Sequence, residues 1–354
     1  MKPDVLVIGG GIMGCAVALE LARAGVRVVV LERSVPGAEA SSAAGGILGA
    51  QIEAHAPSPA FATSIESRAL WERFARDLAE RTSIDVGYRR CGVLRVAYDD
   101  QAVEAIEGEH AWQRDRGEPV ERLSGERARA LEPALAPEVA GGVRFADDAR
   151  VDPPLLLRAV YIAAARAGAE FRSGSYVRRV AVEGGRAVGV ELEDGTRLDA
   201  GAVVVAAGSW SALVGGVPLA EGAVRPARGQ IVELLCSTPP LGSVVFGVGC
   251  YLVPRDDGRV LVGSTLEFVG WKREVTARAV RDLLDAALRL VPALASAQLG
   301  RTWSNFRPYA EGGPLIGATE VPGLLLATGH HRNGILLAPV TAQRVAAAVL
   351  APRA

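Results

Sequence analysis

Asp4-Val5-Leu6-Val7-Ile8-Gly9-Gly10-Gly11-Ile12-Met13-Gly14 opens the chain as a short apolar run that breaks into glycines. From Cys15 to about Ala24 the pattern is helical, apolar at Val17, Leu19, Leu21 and Ala22 with polar Glu20 and Arg23 between them. Gly25 ends that helix, and Val26 to Leu31 reads as a second buried strand closed by Glu32. Strand, G-x-G-x-x-G, helix, strand and acidic residue in this order form a dinucleotide-binding βαβ unit. Gly9 permits the tight turn, Gly11 lets backbone approach a pyrophosphate, and Gly14 lets the helix pack closely on the strand. The helix start offers free N–H groups and the positive end of its dipole to phosphates. Glu32, 18 residues beyond Gly14, is placed to accept hydrogen bonds from the adenosine ribose hydroxyls.

A length of 354 residues is long for one layered core, so two domains are expected. With 49% hydrophobic and 22% charged residues the balance is that of a soluble globular protein. A net charge of −1 supplies no global field to attract nucleic acid or an anionic membrane. The basic residues are nearly all arginine, with Lys2 and Lys272 the lysines; beside so much alanine, this reads as coding bias, not a binding surface. Cys15, Cys91, Cys236 and Cys250 show neither C-x-x-C nor metal spacing and read as small apolar thiols of a reduced, cytoplasmic protein. The first strand begins by Asp4, which leaves no room for a signal peptide. No uncharged apolar stretch reaches the roughly 18 residues of a membrane span.

Ala40-Ser41-Ser42-Ala43-Ala44-Gly45-Gly46-Ile47-Leu48-Gly49-Ala50-Gln51 lacks any long charged side chain. Small residues in that density imply backbone lying against something large and flat, with Ser41 and Ser42 free to meet phosphate or ring atoms. An amphipathic helix follows from Phe61 to Arg81, then a strand from Cys91 to Ala97, a helix from Gln101 to Arg116, and another from Leu123 to Leu131 opening at Ser124. Pro153 and Pro154 open a helix running to about Ala167; Val177–Val182 and Val188–Leu192 alternate as a hairpin or meander, with a turn at Asp194-Gly195.

Two later stretches echo each other: Val203-Val204-Val205-Ala206-Ala207-Gly208 and Leu324-Leu325-Leu326-Ala327-Thr328-Gly329. Both read as buried parallel strands whose final glycine lets chain leave beside a ligand at the carboxyl edge of an open sheet. The second leads through His330-His331-Arg332-Asn333-Gly334 into an Ala-rich helix to Leu350. Between them, Val217 to Pro314 has a different character. Gly249–Pro254, the turn Asp256-Asp257-Gly258 and Arg259–Ser264 form a β-hairpin, Val275–Val291 an amphipathic helix, and Arg301–Arg307 a strand with Trp303, Asn305 and Arg307 on one face. The fold class is therefore α/β, a Rossmann-like cofactor domain from residues 1–80, 150–215 and 315–354 with an α+β substrate domain on an antiparallel sheet from 81–149 and 216–314.

These residues resemble the D-amino acid oxidase superfamily of FAD-dependent amine oxidoreductases, and within it the glycine oxidases of thiamine biosynthesis. The resemblance covers essentially the whole chain. It is most specific at Ser41–Gln51, Tyr251–Gly263, Trp303–Pro308 and Gly329-His330-His331-Arg332-Asn333-Gly334-Ile335-Leu336-Leu337-Ala338-Pro339. It implies that Ile12, Met13, Glu32, Arg33, Ala40, Ser41, Gly45, Gly46, Ile47 and Val177 touch FAD, beside Gly9, Gly11, Gly14, Gly208 and Gly329 of the turns. The run His330, His331, Arg332, Asn333, Gly334, Ile335 and Leu336 is implied to meet the flavin ring. Arg307 and Arg332 would hold a substrate carboxylate, with Tyr251 and Ile47 closing the site. One departure from the family pattern is Gly249, where the glycine oxidases carry a histidine, so a wider pocket mouth is expected.

The residues support this by their own chemistry. An amine can lose hydride from its α-carbon to flavin N5 with no side-chain base, provided that it is held in line. Two arginines can grip one carboxylate, and the helix start near Asn333 can stabilise negative charge on a reduced flavin. His330 and His331 lack partner ligands at metal spacing, so no metal is expected. No cysteine follows Cys250, so FAD is expected to be non-covalent. The expected reaction is oxidation of glycine, sarcosine or small D-amino acids to imine and then keto acid, ammonia and hydrogen peroxide, with molecular oxygen as acceptor. A dehydrogenase of the same substrates or of a 2-hydroxy acid, passing electrons to a quinone or carrier, stays open, as does a homo-oligomer. A flavin module acting on tRNA would want a basic stripe that the chain lacks, and an NAD-dependent dehydrogenase would leave Ser41–Gln51 and Gly329–Pro339 unexplained.

Overall fold

The computed structural model describes residues 2–351. Val5–Ile8 and Val28–Leu31 are fully apolar strands with both faces buried, the pattern of a parallel sheet covered on two sides. They lie in a six-stranded sheet in the order Leu315–Ala318, Leu324–Thr328, Ala202–Val205, Val5–Ile8, Val28–Leu31 and Glu170–Arg172. Neighbours are parallel except for the antiparallel edge strand Leu315–Ala318. The two echoing segments are direct partners, with Val203, Val204 and Val205 opposite Leu324, Leu325 and Leu326.

The two-residue period sorts side chains between two cores. Val5, Val7, Val28 and Val30 pack with the helices Ile12–Arg23, Pro59–Thr82, Pro153–Arg166 and Gly334–Leu350. Leu6, Ile8, Val29 and Leu31 face the other way, onto the antiparallel three-stranded sheet of Val177–Glu183, Arg186–Leu192 and Arg197–Asp199. Gly334–Leu350 carries Pro339, which has no N–H to give the preceding turn. Near that break the Leu336 carbonyl accepts hydrogen bonds from Trp71 Nε1 at 2.8 Å and Ser67 Oγ at 2.6 Å, clamping one helix to the other. By length and composition His331–Leu350 would pass for a membrane span. Here Ile335 through Ala342 are buried, with Ile335, Leu336, Ala338 and Ala342 in the first core.

A second, eight-stranded sheet runs in the order Gln298–Tyr309, Arg225–Leu235, Arg259–Gly263, Tyr251–Pro254, Val244–Phe246, Val93–Ala97, Gly141–Phe145 and Glu121–Ser124. It is antiparallel except where Val244–Phe246 lies parallel to Val93–Ala97. The amphipathic helix Ala277–Leu290 buries Leu283, Ala287 and Leu290 against Val232, Leu234, Val260 and Val262 on one face. The opposite face, with Ile231, Tyr251, Leu261 and Trp303, turns toward Ile47 and Ile52.

Several boundaries differ from the sequence expectation. The helix expected over Gln101–Arg116 is α-helical over Asp100–His110 and tightens to a 3-10 turn over Ala111–Arg116. Leu123 belongs to the strand Glu121–Ser124; the helix starts at Gly125, capped by Ser124 Oγ on the Arg127 amide at 3.3 Å. The small-residue stretch holds a one-turn helix, Ala40–Ala43, and a strand, Ile47–Leu48, paired with Ala149–Arg150.

Candidate active site

The strand ends of the parallel sheet and the inner face of the eight-stranded sheet enclose a cleft of about 1740 Å³, its open mouth included. Ile8, Leu31, Ala206 and Ala327 mark the four strand ends along its floor. Gly9 adopts φ +103°, and a Cβ there would lie 2.6 Å from the Ala206 carbonyl oxygen. A Cβ on Gly14 would lie 1.9 Å from the Gly9 carbonyl oxygen, so helix and turn touch backbone to backbone. Ser41 Oγ accepts from the Ile12 amide at 2.9 Å, tying the small-residue stretch to the helix start. That helix has no side-chain cap from Gly11 and no acidic residue in its first turn, so nothing of its own neutralises its positive end.

Glu32 lines the cleft, but its carboxylate also does structural service. Oε2 accepts from the Gly10 amide at 2.8 Å and Oε1 from the Ser34 amide at 2.9 Å. Each oxygen keeps a second lone pair for a ligand hydroxyl. Arg33 stacks 3.8 Å above the Trp210 ring and bonds Glu39 at 2.5 Å, a carboxylate it shares with Arg273.

The other end of the cleft gathers Ile47, Tyr251, Arg307, His331 and Arg332. Arg307 Nη2 donates to Ser264 Oγ at 2.6 Å and Nη1 to the Thr265 carbonyl at 3.2 Å, both neutral partners. Burial holds its guanidinium below the ordinary value, with Tyr251 acting upward and Arg332 downward; it stays charged regardless. Arg332 Nη2 donates to Glu53 Oε1 at 2.8 Å. On Arg332 burial acts downward, but the charge and hydrogen bond of Glu53 outweigh it and the net direction is upward. His330 is buried with Nε2 3.0 Å from Thr341 Oγ1, and burial lowers its pKa to about 3. Burial, then the two arginines, lowers His331 to about 4, so both imidazoles are neutral at pH 7. His331 sits at φ +47°, a left-handed conformation uncommon for a residue with a side chain, where strand turns into helix.

Most expected residues line one surface: Gly9, Gly11, Ile12, Met13, Glu32, Arg33, Ala40, Ser41, Gly45, Gly46, Ile47, Val177, Gly208, Tyr251, Arg307 and the run His330–Ile335. Three do not. Gly14 is buried behind Gly9, Gly329 turns at φ +77° against Ala310, and Leu336 points into the helical core. Gly249 is also off the lining; its absent side chain would face Ala286 at 3.5 Å, so the structure does not widen the mouth there.

The sequence reading missed Glu53, Ser264, Gly229 and Trp210. Gly229 lies under Arg307: a Cβ would stand 2.2 Å from Nη2, so only glycine lets the guanidinium lie across the strand. Its partner across the sheet is Asn305, a pairing that no local pattern announces. Glu53 stands two residues past the small-residue stretch and was within reach as the first acidic residue after it. Outside the cleft, donor atoms of His55, Glu109 and His110 lie within 4.8 Å of one another. Arg95 Nη1 stands 2.7 Å from Glu109 and 3.2 Å from His110 Nε2, so a cation already pairs with two of the three.

An elongated dinucleotide with a flat ring suits this cleft. Gly208 faces open space at φ +54°, and His331 Nε2 is buried with no hydrogen-bond partner among the described residues. The helix Gly334–Leu350 begins at the same end without an acidic residue in its first turn. The family model for FAD dependent oxidoreductases matches residues 4–348. The glycine oxidase of Geobacillus kaustophilus is 38% identical over 347 residues, 97% of this chain and 92% of that protein. The bifunctional protein ThiO/ThiG of Trichormus variabilis is 34% identical; the match takes in 98% of this chain and 52% of that protein. The crystal structure of glycine oxidase from Geobacillus kaustophilus superposes with a TM-score of 0.93 at 36% identity, covering 100% of this chain and 96% of the other.

Proposed function

The chain belongs to the family of FAD-dependent oxidoreductases and is an amine-oxidising member of it, and from that premise we propose that it oxidises glycine, sarcosine and small D-amino acids. The amine becomes an imine, which water hydrolyses to a 2-oxo acid and ammonia, or methylamine from sarcosine. Bound FAD supplies the two-electron acceptor, and molecular oxygen reoxidises it to give hydrogen peroxide.

The observation that carries the reading is Arg307. Among the described residues it is the cleft guanidinium bonded only to neutral oxygens, whereas Arg33 is paired with Glu39, which it shares with Arg273, and Arg332 is paired with Glu53. A desolvated cation without a carboxylate partner is a site made for an incoming one. Arg307 would anchor the substrate carboxylate, with Tyr251 over it and Arg332 behind. His330 to Ile335 and the glycine-rich turns would hold the cofactor in residues 1–80, 150–215 and 315–354, while 81–149 and 216–314 shape the substrate side. No cysteine among the described residues lines the cleft, which favours FAD held without a covalent bond. Acid precipitation should therefore leave the yellow colour in the supernatant, and colour in the pellet would contradict that.

Substrate size and hand follow from the anchors. With the carboxylate on Arg307 and the α-hydrogen directed at the flavin, a D-configured methyl takes space that an L-configured one enters only by turning its hydrogen away. Ile47 and Tyr251 wall a shallow pocket. Peroxide release from glycine, sarcosine, D-alanine, D-proline and L-alanine tests this. L-Alanine outpacing both glycine and D-alanine would overturn the reading.

A further inference from the structure

We propose that Glu53 sets the charge of the substrate end so that it accepts amines bearing one carboxylate and rejects those bearing two; this deepens the amine-oxidase reading and rests on it for the identity of the substrates. Three charged side chains line that end: Arg307, Arg332 and Glu53. Glu53 Oε1 stands 2.8 Å from Arg332 Nη2 and takes up one of the two positive charges. The neighbouring imidazoles add none, because burial keeps His330 and His331 neutral above about pH 4. The sum is one positive charge. A neutral amine with one carboxylate brings it to zero, whereas a second carboxylate leaves an unbalanced anion in a partly desolvated cleft.

Glu53 is held for this role from behind. The carboxylate of Asp148, fully buried, accepts from the Gln51 amide at 3.1 Å and the Ile52 amide at 3.1 Å. Gln51 is fastened in turn by Arg68 Nη1 on its Oε1 at 2.9 Å and by its Nε2 on Gln113 Oε1 at 3.1 Å. The Glu53 amide closes the turn on the Gly49 carbonyl at 3.4 Å. The carboxylate is thus presented by a turn locked at each preceding residue, so the pair with Arg332 does not depend on a free side chain finding its partner.

The test compares the FAD-loaded wild type with Glu53→Gln, which keeps the shape and an acceptor for Arg332 but removes the charge, and with Glu53→Asp, which keeps the charge. Sarcosine and iminodiacetate are a matched pair, both secondary amines, differing in one carboxylate. In Glu53→Gln the ratio of kcat/KM for iminodiacetate over sarcosine should rise at least tenfold, mainly through KM, and the rise should shrink with added salt. Glu53→Asp should stay near the wild-type ratio. An unchanged ratio in Glu53→Gln, or an equal rise in both variants, would overturn the proposal. A second measurement needs no turnover: acetate and malonate titrated into the oxidised protein while the flavin absorption is followed. Glu53→Gln should tighten malonate relative to acetate at least tenfold, and equal or absent responses would also overturn it. If the wild type oxidises neither glycine nor sarcosine while Glu53→Gln still shows this malonate shift relative to it, the amine-oxidase reading falls and the charge assignment stands.

Discussion

Replacing Arg307 with alanine tests the anchor directly. Two of its N–H groups already bond Ser264 Oγ and the Thr265 carbonyl, so only part of its five-donor fork is left for a ligand. Truncating one partner of a desolvated charge pair costs about 2–5 kcal/mol, and with two donors spent on the protein a figure of ~3 kcal/mol is reasonable. That converts to a loss of about 150-fold in kcat/KM. The anchor acts alike in the ground and transition states, so the loss should fall mainly on KM, with kcat reduced less. Arg307→Lys should recover only part, since an ammonium restores the charge but not the planar fork. The assay is steady-state peroxide formation from glycine, with acetate binding read from the flavin spectrum. The spectrum without ligand should stay near wild type because Arg307 is held by Ser264 and Thr265, just beyond the strand Arg259–Gly263, away from the glycine turn. A glycine KM within threefold of wild type in Arg307→Ala would refute the assignment.

Arg332→Ala should reduce amino acid turnover by about 3–5 kcal/mol in kcat/KM, less whatever solvent screening at the mouth removes, because it also leaves the Glu53 carboxylate facing the substrate unpaired. Adding Glu53→Gln should restore part of the loss, and a double variant worse than the single would contradict this, as would an unchanged KM in the single. Trp71 is fully buried and bonded to the Leu336 carbonyl, so Trp71→Ala should destabilise the fold by about 3–5 kcal/mol in denaturant titration. A loss below about 1 kcal/mol would mean that the helices are clamped elsewhere. Burial, against the pull of the Ile52 and Gln51 amides and Arg68, raises Asp148 to about 7. An acid with a raised folded pKa contributes stability that is complete below its unfolded value near 4 and is lost as pH climbs through about 7. From pH 5 to 8 the wild type should therefore lose stability relative to Asp148→Asn, and parallel pH profiles would show the carboxyl ionised throughout.

The sequence by itself determined whatever is written within a few neighbouring residues. The βαβ unit, both Ala-X-Gly strand ends, the Tyr251–Gly263 hairpin and the helix of Gly334–Leu350 follow from periods of two and 3.6 residues and from glycines at turns. Element edges were less legible, as at Leu123 and His110, because a cap or a tightened last turn is settled by one or two hydrogen bonds. Only the tertiary structure decided the charges of the site. Arg332 was legible as a cation between strand and helix, but its neutralisation by Glu53 joins side chains 279 positions apart. The same holds for Gly229 beneath Arg307, which needs the register of two long strands, and for Gly249, whose missing side chain faces Ala286 and not the cleft. Local periodicity states which face of an element is apolar; which charged groups meet across that face depends on sheet order and register, and those are set by the packing of the whole chain.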